Sequence, residues 1–490
     1  MDIFILMVVI FVLGYTAIAL EHPIKINKAP TAIFMGMLIW IVLAIFNGSI
    51  LNLDFSPTFR LFAELKDSVL SLINIESIDN EHLKRWMEET TSLAVNNPDH
   101  GNYMDFVKFS LGEHLNEISQ ILFFLLGAMT IVETIDRYQG FKIITDKITT
   151  LSPVKLIWIL SILTFFMSAL LDNLTTTIVM VALLRKLVGD KKLRWFFASI
   201  IVIAANAGGA WSPIGDVTTI MLWINGNVTT VKIMEGVFLP SMVSMIVPLI
   251  FVSMMLKGKT ITRPEMSAAD HEDITTNSEK VFMLVLGIAG LLFVPVLKTT
   301  THLPPYVGML FSLGVVWITT EIIVRRKPEE RRGKYSVINI LQKVDVPTIF
   351  FFLGILMAVA ALETAGHLDL MAHWLDKVTN TSYYVIATAI GLLSSIVDNV
   401  PLTASAMGMY PIMENGHLAA DGLFWELLAY TAGTGGSILI IGSAAGVAAM
   451  GLEKIDFIWY AKKISWLAAV GYFAGIGVYW LQETFFHVLS

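Results

Sequence analysis

The dipeptide Asp172-Asn173 recurs as Asp398-Asn399, 226 residues further on, each time in the middle of an apolar stretch long enough to lie inside a bilayer. A carboxylate at that depth is costly and marks a functional site. The neighbourhoods match too, with Ser168-Ala-Leu-Leu-Asp-Asn-Leu174 lying over Ser394-Ser-Ile-Val-Asp-Asn-Val400. Each copy also carries a glycine-rich run downstream, Asn206 to Asp216 in the first and Gly433 to Ser443 in the second. The runs align at an offset of 227, so that Gly208, Gly209 and Gly215 fall on Gly435, Gly436 and Gly442, and Asp216 falls on Ser443. Such a run unwinds a helix, and bare carbonyls at membrane depth are tolerated only where they line a cavity or bind an ion.

Asp172, Asn173, Thr175 and Thr176 in one copy, and Asp398, Asn399 and Thr403 in the other, offer hard oxygen ligands. Asn206, Gly209, Thr434, Gly436 and Ser437 of the glycine-rich runs add side-chain and carbonyl oxygens, and Asp216 is an auxiliary acid. That donor set suits Na⁺ or Li⁺. A buried carboxylate favours its proton, and a bound cation displaces it, so Asp172 and Asp398 can hold either but resist holding neither. Competition of that kind is the physical core of an antiporter. A lone Asp-Asn pair can equally cap a helix at a hairpin tip; two symmetric copies, each facing a glycine-rich break, favour the ion site.

These residues need a membrane scaffold, and the composition provides one. The 490 residues are 55% hydrophobic and only 15% charged, with a mean hydropathy of +0.70, more apolar side chain than a soluble core of this size hides. A net charge of -7 argues against a nucleic-acid partner, and the absence of cysteine excludes disulfides and thiol chemistry. Residues 1 to 20 do not read as a removable leader, because they hold Asp2 and no Lys or Arg.

Ten apolar stretches read as crossings, near 2–20, 30–48, 119–135, 195–223, 235–256, 281–297, 305–324, 347–363, 422–450 and 464–486. Segments 153–184 and 382–413 are too long for one crossing, hold the Asp-Asn pairs centrally, and read as re-entrant hairpins. Lys and Arg gather in alternate loops, which places those loops inside and both termini outside, and gives the two hairpins opposite orientations. The expected fold is thus an all-α polytopic membrane protein of two inverted repeats, each with a re-entrant hairpin and a broken helix, the pattern of a secondary transporter. Its parts are N-terminal helices at 1–50, an acidic extracytoplasmic insertion at 51–118, a first repeat at 119–256, a cytoplasmic linker at 257–280 and a second repeat at 281–490. In the insertion His82, His100 and His114 each follow an acidic residue; solvated amphipathic helices explain them better than a zinc site does. Glu133 and Asp136 end the third crossing, Glu363 occupies the matching place in the second copy, and Glu133 is a candidate for proton entry.

Taken together, these motifs resemble the NhaD-type Na⁺/H⁺ antiporters of the ion transporter superfamily over essentially the whole chain. The pieces that carry the likeness are Phe123 to Thr130, Leu171 to Thr177, Asn206 to Asp216, Val397 to Thr403 and Gly433 to Gly446. The resemblance implies a homodimer in the bacterial inner membrane whose transport domain moves as an elevator, with Na⁺ or Li⁺ and protons as cargo and no cofactor. Dicarboxylate carriers of the superfamily show Ser-Asn-Thr at the hairpin tips, whereas here an Asp precedes each Asn, which disfavours an anionic substrate. A sodium-coupled carrier of a small anion or an oxyanion efflux protein is the alternative within transport. An intramembrane aspartyl protease using Asp172 and Asp398 is the enzymatic one, and it has no use for two hairpins and two glycine-rich breaks.

Overall fold

The computed structural model describes residues 2–19, 26–53, 55–60, 62, 101–145, 148, 150–258, 260–262, 275–327, 329, 332 and 335–486. Most of the acidic insertion, with His82 and His100, and most of the linker lie outside them. Among the described residues the regular secondary structure is all helix, apart from one isolated bridge between Met413 and Ala419.

The helices are α1 (Asp2–Ala19), α2 (Lys28–Ile45), α3 (Asn47–Leu51), α4 (Gly101–Arg137), α5 (Lys142–Thr145), α6 (Pro153–Leu171), α7 (Asn173–Leu187), α8 (Lys191–Ala210), α9 (Val217–Ile224), α10 (Thr230–Leu256) and α11 (Asn277–Thr301). They continue as α12 (Pro305–Arg325), α13 (Val337–Leu341), α14 (Val346–Thr364), α15 (His367–Thr379), α16 (Tyr383–Leu393), α17 (Asn399–Met409), α18 (Leu423–Gly435), α19 (Ala444–Glu453), α20 (Phe457–Lys463) and α21 (Ser465–Phe486). Eight of the described helices are long and apolar enough to cross a membrane, or nine if the bent pair α20 and α21 counts as one span. The chain is an all-α polytopic membrane protein.

Local chemistry sets the boundaries. Ser152, Asp190, Asp216, Thr276, Ser443 and Asp456 each accept a backbone N–H as the N-cap of the helix that follows. The first glycine-rich run breaks at Trp211 to Gly215, where Pro213 supplies no N–H and disfavours helix in the residue before it. The second, without proline, unwinds from Gly436 and restarts when Ser443 caps α19.

Two elements differ from the sequence reading, the third crossing and the first hairpin, while the second hairpin agrees with it. The third crossing does not begin at 119: α4 starts at Gly101 and runs for 37 residues, about 55 Å, so the polar residues before 119 are wound into the same helix rather than separated from it. The first hairpin has unequal arms, since the 19 residues of α6 are themselves long and apolar enough to cross, at about 28 Å. The arms of the second, α16 and α17, are 11 residues each, about 16 Å, and neither could span a hydrocarbon core.

Two compact units form. The first comprises Met1–Ser119, Pro347–Thr381 and Ala404–Pro411. Within it α2 crosses α14 at Gly36 and Gly354, where a Cβ on either glycine would strike the other helix's backbone, and Trp40 Nε1 donates to Met357 O at 2.8 Å beside them. The second comprises Gln120–Val346, Ser382–Thr403 and Ile412–Ser490 and contains both glycine-rich breaks. One end of it is tied by Glu453, whose side chain is 1% exposed and whose two oxygens accept from Arg185 Nε at 2.7 Å and Arg194 Nε at 2.9 Å. Glu453→Ala would remove the shared carboxylate but leave Arg185 bonded to the carbonyl of Leu452 and Arg194 to those of Val188 and Gly189, so the expected loss is that of charge-assisted hydrogen bonds, about 2 kcal/mol. A thermal melt in detergent checks it; an unchanged midpoint would show that the two arginines simply rehydrate.

Candidate functional site

The hairpin tips reach the broken helices through matched contacts. Ser168 Oγ donates to Ala205 O at 2.6 Å, and its counterpart Ser394 Oγ donates to Ala432 O at 2.7 Å. Gly208 lies against the backbone of Phe165, and Gly435 against that of Gly391, so close that neither position has room for a Cβ. Side chains on α7 and α17 are thereby held beside the two breaks.

At the centre is Asp216, buried at 2% exposure. It caps α9, accepting from Thr218 N at 3.2 Å, and the Thr219 side chain completes a capping box. Asn173 Nδ2 donates to its Oδ2 at 2.8 Å, and Asn399 Nδ2 lies 3.3 and 3.2 Å from its two oxygens. The asparagines of both hairpin tips therefore converge on one carboxylate. Asn206 completes the core: its Oδ1 accepts from Asn173 Nδ2 at 3.1 Å, and its Nδ2 donates to Ser437 Oγ and Ser443 Oγ, each at 2.9 Å. Every group in this network belongs to the second unit.

The two tip carboxylates stand differently. Asp172 is half-buried, holds φ at 112°, and caps α7 by accepting from Thr175 N at 2.7 Å and Thr175 Oγ1 at 2.8 Å. Asp398, also half-buried, accepts from Val400 N at 3.2 Å. Both lie within electrostatic reach of Asp216, so three carboxylates share one neighbourhood. Any proton or cation that enters it relieves their mutual repulsion. The capping role and the ion-site role, alternatives for the sequence, are compatible in Asp172.

Thr176 and Thr403 are buried with hydroxyl oxygens that find no hydrogen-bond partner among the described residues, and so remain available as ligands. Thr175 is engaged by Asp172, and Thr434 Oγ1 donates back to Tyr430 O at 2.6 Å along its own helix. Gly209 and Gly436 pack against the carbonyls of Gly215 and Gly442 across their respective breaks. Ser443 was visible in the sequence only as the residue opposite Asp216. In the structure it does the same job, capping α19 by accepting from Gly446 N at 3.1 Å, with a hydroxyl in place of the carboxylate. The aligned repeats contained that signal, as they did for Ser168 and Ser394.

Away from this network, His114 lies 3.9 Å from Glu117 on α4. Among the described residues no group of three or more His, Cys, Asp or Glu could hold a metal ion.

A helical membrane protein in which two hairpin tips and two interrupted helices enclose a buried polar centre has the construction of an ion-coupled carrier. The comparisons with known proteins are specific. The citrate transporter family model matches residues 114–435. The chain is 50% identical over 366 residues to sodium/proton antiporter 1 of Arabidopsis thaliana, covering 74% of this chain and 62% of that one, just under two thirds of the relative's length. It is 44% identical to sodium/proton antiporter 2 of the same plant, over 78% of this chain and 90% of the relative. It is 32% identical to the Na⁺/H⁺ antiporter NhaD of Vibrio parahaemolyticus, over 75% of this chain and 91% of the relative. The chain belongs to the NhaD-type Na⁺/H⁺ antiporters of the ion transporter superfamily.

Proposed function

We propose that the protein is a secondary active transporter that exchanges intracellular Na⁺, or Li⁺, for external protons. The observation that carries this reading is the convergence of Asn173 and Asn399 on Asp216, with Asp172 and Asp398 flanking it. In the proton-loaded form Asp216 keeps its hydrogen-bonded partners. For a cation to enter, the amides turn their Oδ1 atoms inward, and Asp216, the tip carboxylates, the free Thr176 and Thr403 hydroxyls and the carbonyls of the breaks become its oxygen ligands. The gathered negative charge holds a proton or a metal ion but resists being bare, and alternating occupancy across the membrane is exchange.

The backbone-to-backbone contacts at Gly208 and Gly435 bind each hairpin to its broken helix, which suits a carrier body that moves as one piece in an elevator cycle. We place the protein in a bacterial inner membrane as a homodimer with both termini outside, following the loop charges and the family. The relatives' names, all of transporters or antiporters, agree with a carrier rather than an enzyme. The family description as citrate transporters favours a second reading, sodium-coupled anion uptake. Three carboxylates around the centre oppose it, because a carboxylate substrate would meet like charge.

The test is pH-probe fluorescence in proteoliposomes with a preset proton gradient. NaCl or LiCl should collapse the gradient; collapse only when citrate is also present would replace this reading with the second one. Exchange should also rise toward alkaline pH, because protons compete for the same carboxylates, and a flat profile would mean that proton and cation bind apart. Asn173→Ala and Asn399→Ala should each weaken apparent Na⁺ affinity by about tenfold, the loss of roughly one charge-assisted contact. An equal effect from alanine at Thr434, whose hydroxyl is turned back on its helix, would sink the assignment of the tip amides as ligands.

A further inference from the structure

One buried carboxyl takes no part in this site. Every residue of α18 from Leu423 to Gly435 is buried, Glu426 among them at 0% exposure. Its Oε2 accepts from Tyr479 OH of α21 at 3.1 Å, while its Oε1 has no hydrogen-bond partner among the described residues. Space for the carboxyl comes from Gly236 of α10, where any Cβ would collide with it. An acid inside an apolar helix is costly and needs a reason. Packing does not supply one, since leucine would fill the same volume without an orphaned oxygen.

Its surroundings point to proton traffic. Tyr479 of α21 bonds Glu426, and Lys232 of α10, Asp421 just ahead of α18 and Glu483 of α21 lie within electrostatic reach of it; Tyr384 of α16 donates to Glu483 Oε2 at 3.1 Å. Along α18 itself polar side chains follow at Tyr430 and Thr434, four and eight residues on, before the break that carries Ser437. The i, i+4, i+8 spacing puts all three on one face, and it sets Glu426 about 12 Å from Thr434 along the axis. Tyr430 OH donates to Tyr472 O at 2.8 Å and Thr434 Oγ1 to Tyr430 O at 2.6 Å, so both hydroxyls are held by backbone carbonyls rather than by each other; one end of this face is a cluster of ionisable groups, and the other is the network around Asn206.

We propose that Glu426 is a proton-carrying residue of the transporter, loaded from the cluster of Asp421, Lys232 and Glu483. The step is a proton transfer between oxygens: an O–H bond forms on the Glu426 carboxylate as one breaks on a hydronium ion from solvent, which leaves water, and on delivery the Glu426 O–H bond breaks as one forms on an accepting water, which restores the carboxylate. The inference rests on the exchange reading above, and the test separates the two. Purified protein in proteoliposomes is assayed for Na⁺-driven collapse of a pH gradient and for ²²Na⁺ counterflow at equal pH on both sides, which needs no net proton movement. If the wild type moves no protons with Na⁺, the exchange reading fails, whatever Glu426 does.

With the wild type active, Glu426→Gln should slow gradient collapse by at least about tenfold, the lower range for a lost proton-transfer group, and alter its pH profile. ²²Na⁺ counterflow should stay within about twofold of wild type, and Glu426→Asp should restore part of the proton movement. Equal loss of both activities would make Glu426 a structural residue, and retention of both would make it a spectator; either overturns the proposal. Should Glu426→Gln fail to reach the membrane, Tyr479→Phe, which removes only the phenol hydroxyl, is read by the same two assays. It should change the pH profile and spare counterflow, and an unchanged profile would equally overturn the proposal.

Discussion

Asp216→Asn is expected to abolish Na⁺-driven proton movement while leaving the protein folded and in the membrane. The amide keeps the size of the carboxylate and, as a good N-cap, still accepts the N–H of Thr218, so α9 retains its start. What it loses is the charge on which both hairpin tips converge and the proton that the charge can bind. Asp172→Asn separates the roles in the same way, because asparagine also preserves the cap that α7 needs. Asp172→Asn and Asp398→Asn should each impair exchange severely, since each removes one of the three charges that make the empty centre unfavourable. The expected order places Asp216 first: it is the buried carboxylate, and the other two are half-buried. Near-normal exchange by Asp216→Asn in the proteoliposome assay would remove that residue from the mechanism.

Gly435→Val carries the second large effect. The Gly435 Cα lies against the backbone of Gly391, and Ser394 Oγ, one turn on, ties the same two helices at Ala432 O. A branched side chain there must push α16 away from α18, because the obstructing atoms are backbone and cannot rotate aside. Overpacking of a tight interior costs about 1 to 3 kcal/mol when side chains can yield, so a backbone obstacle should sit at or beyond the upper end. The expected outcome is a lowered melting temperature together with loss of transport, as Asn399 is withdrawn from Asp216. Gly314→Ala, on a face where a Cβ meets nothing, is the control and should behave as wild type. Equal melting temperatures for the two variants would show that the hairpin contact is not close packed.

The helix breaks and hairpin tips were legible in the sequence, because each needs particular residue types at fixed places. Glycine permits backbone contact, Asp-Asn caps a tip, and Ser or Asp restarts a helix, and those residues align between the copies. The partners were less legible. Nothing in one chain position announces that Asn173 and Asn399 meet at Asp216, since the contact spans 43 residues in one case and 183 in the other. By their symmetry Asp172 and Asp398 take the leading role in a reading of the residues alone, with Asp216 auxiliary because its counterpart is Ser443. In the structure both residues cap their helix restarts, and of the two only Asp216 carries a carboxylate. Hydropathy also misplaced the start of α4, because a helix that continues beyond the apolar layer changes its polarity without changing its backbone. Glu426 passed unnoticed for a related reason, since a single acid near the start of an apolar segment looks like a solvated end until the helices around it are in place.

The central claim is that a proton and Na⁺ compete for the centre around Asp216. It is tested most directly by adding NaCl to purified protein in weakly buffered detergent solution and measuring the protons released, for the wild type and for Asp216→Asn. Proton release that saturates with Na⁺, requires higher Na⁺ at lower pH and disappears in Asp216→Asn is the expected result. Na⁺ binding that releases no protons from the wild type would contradict the shared site.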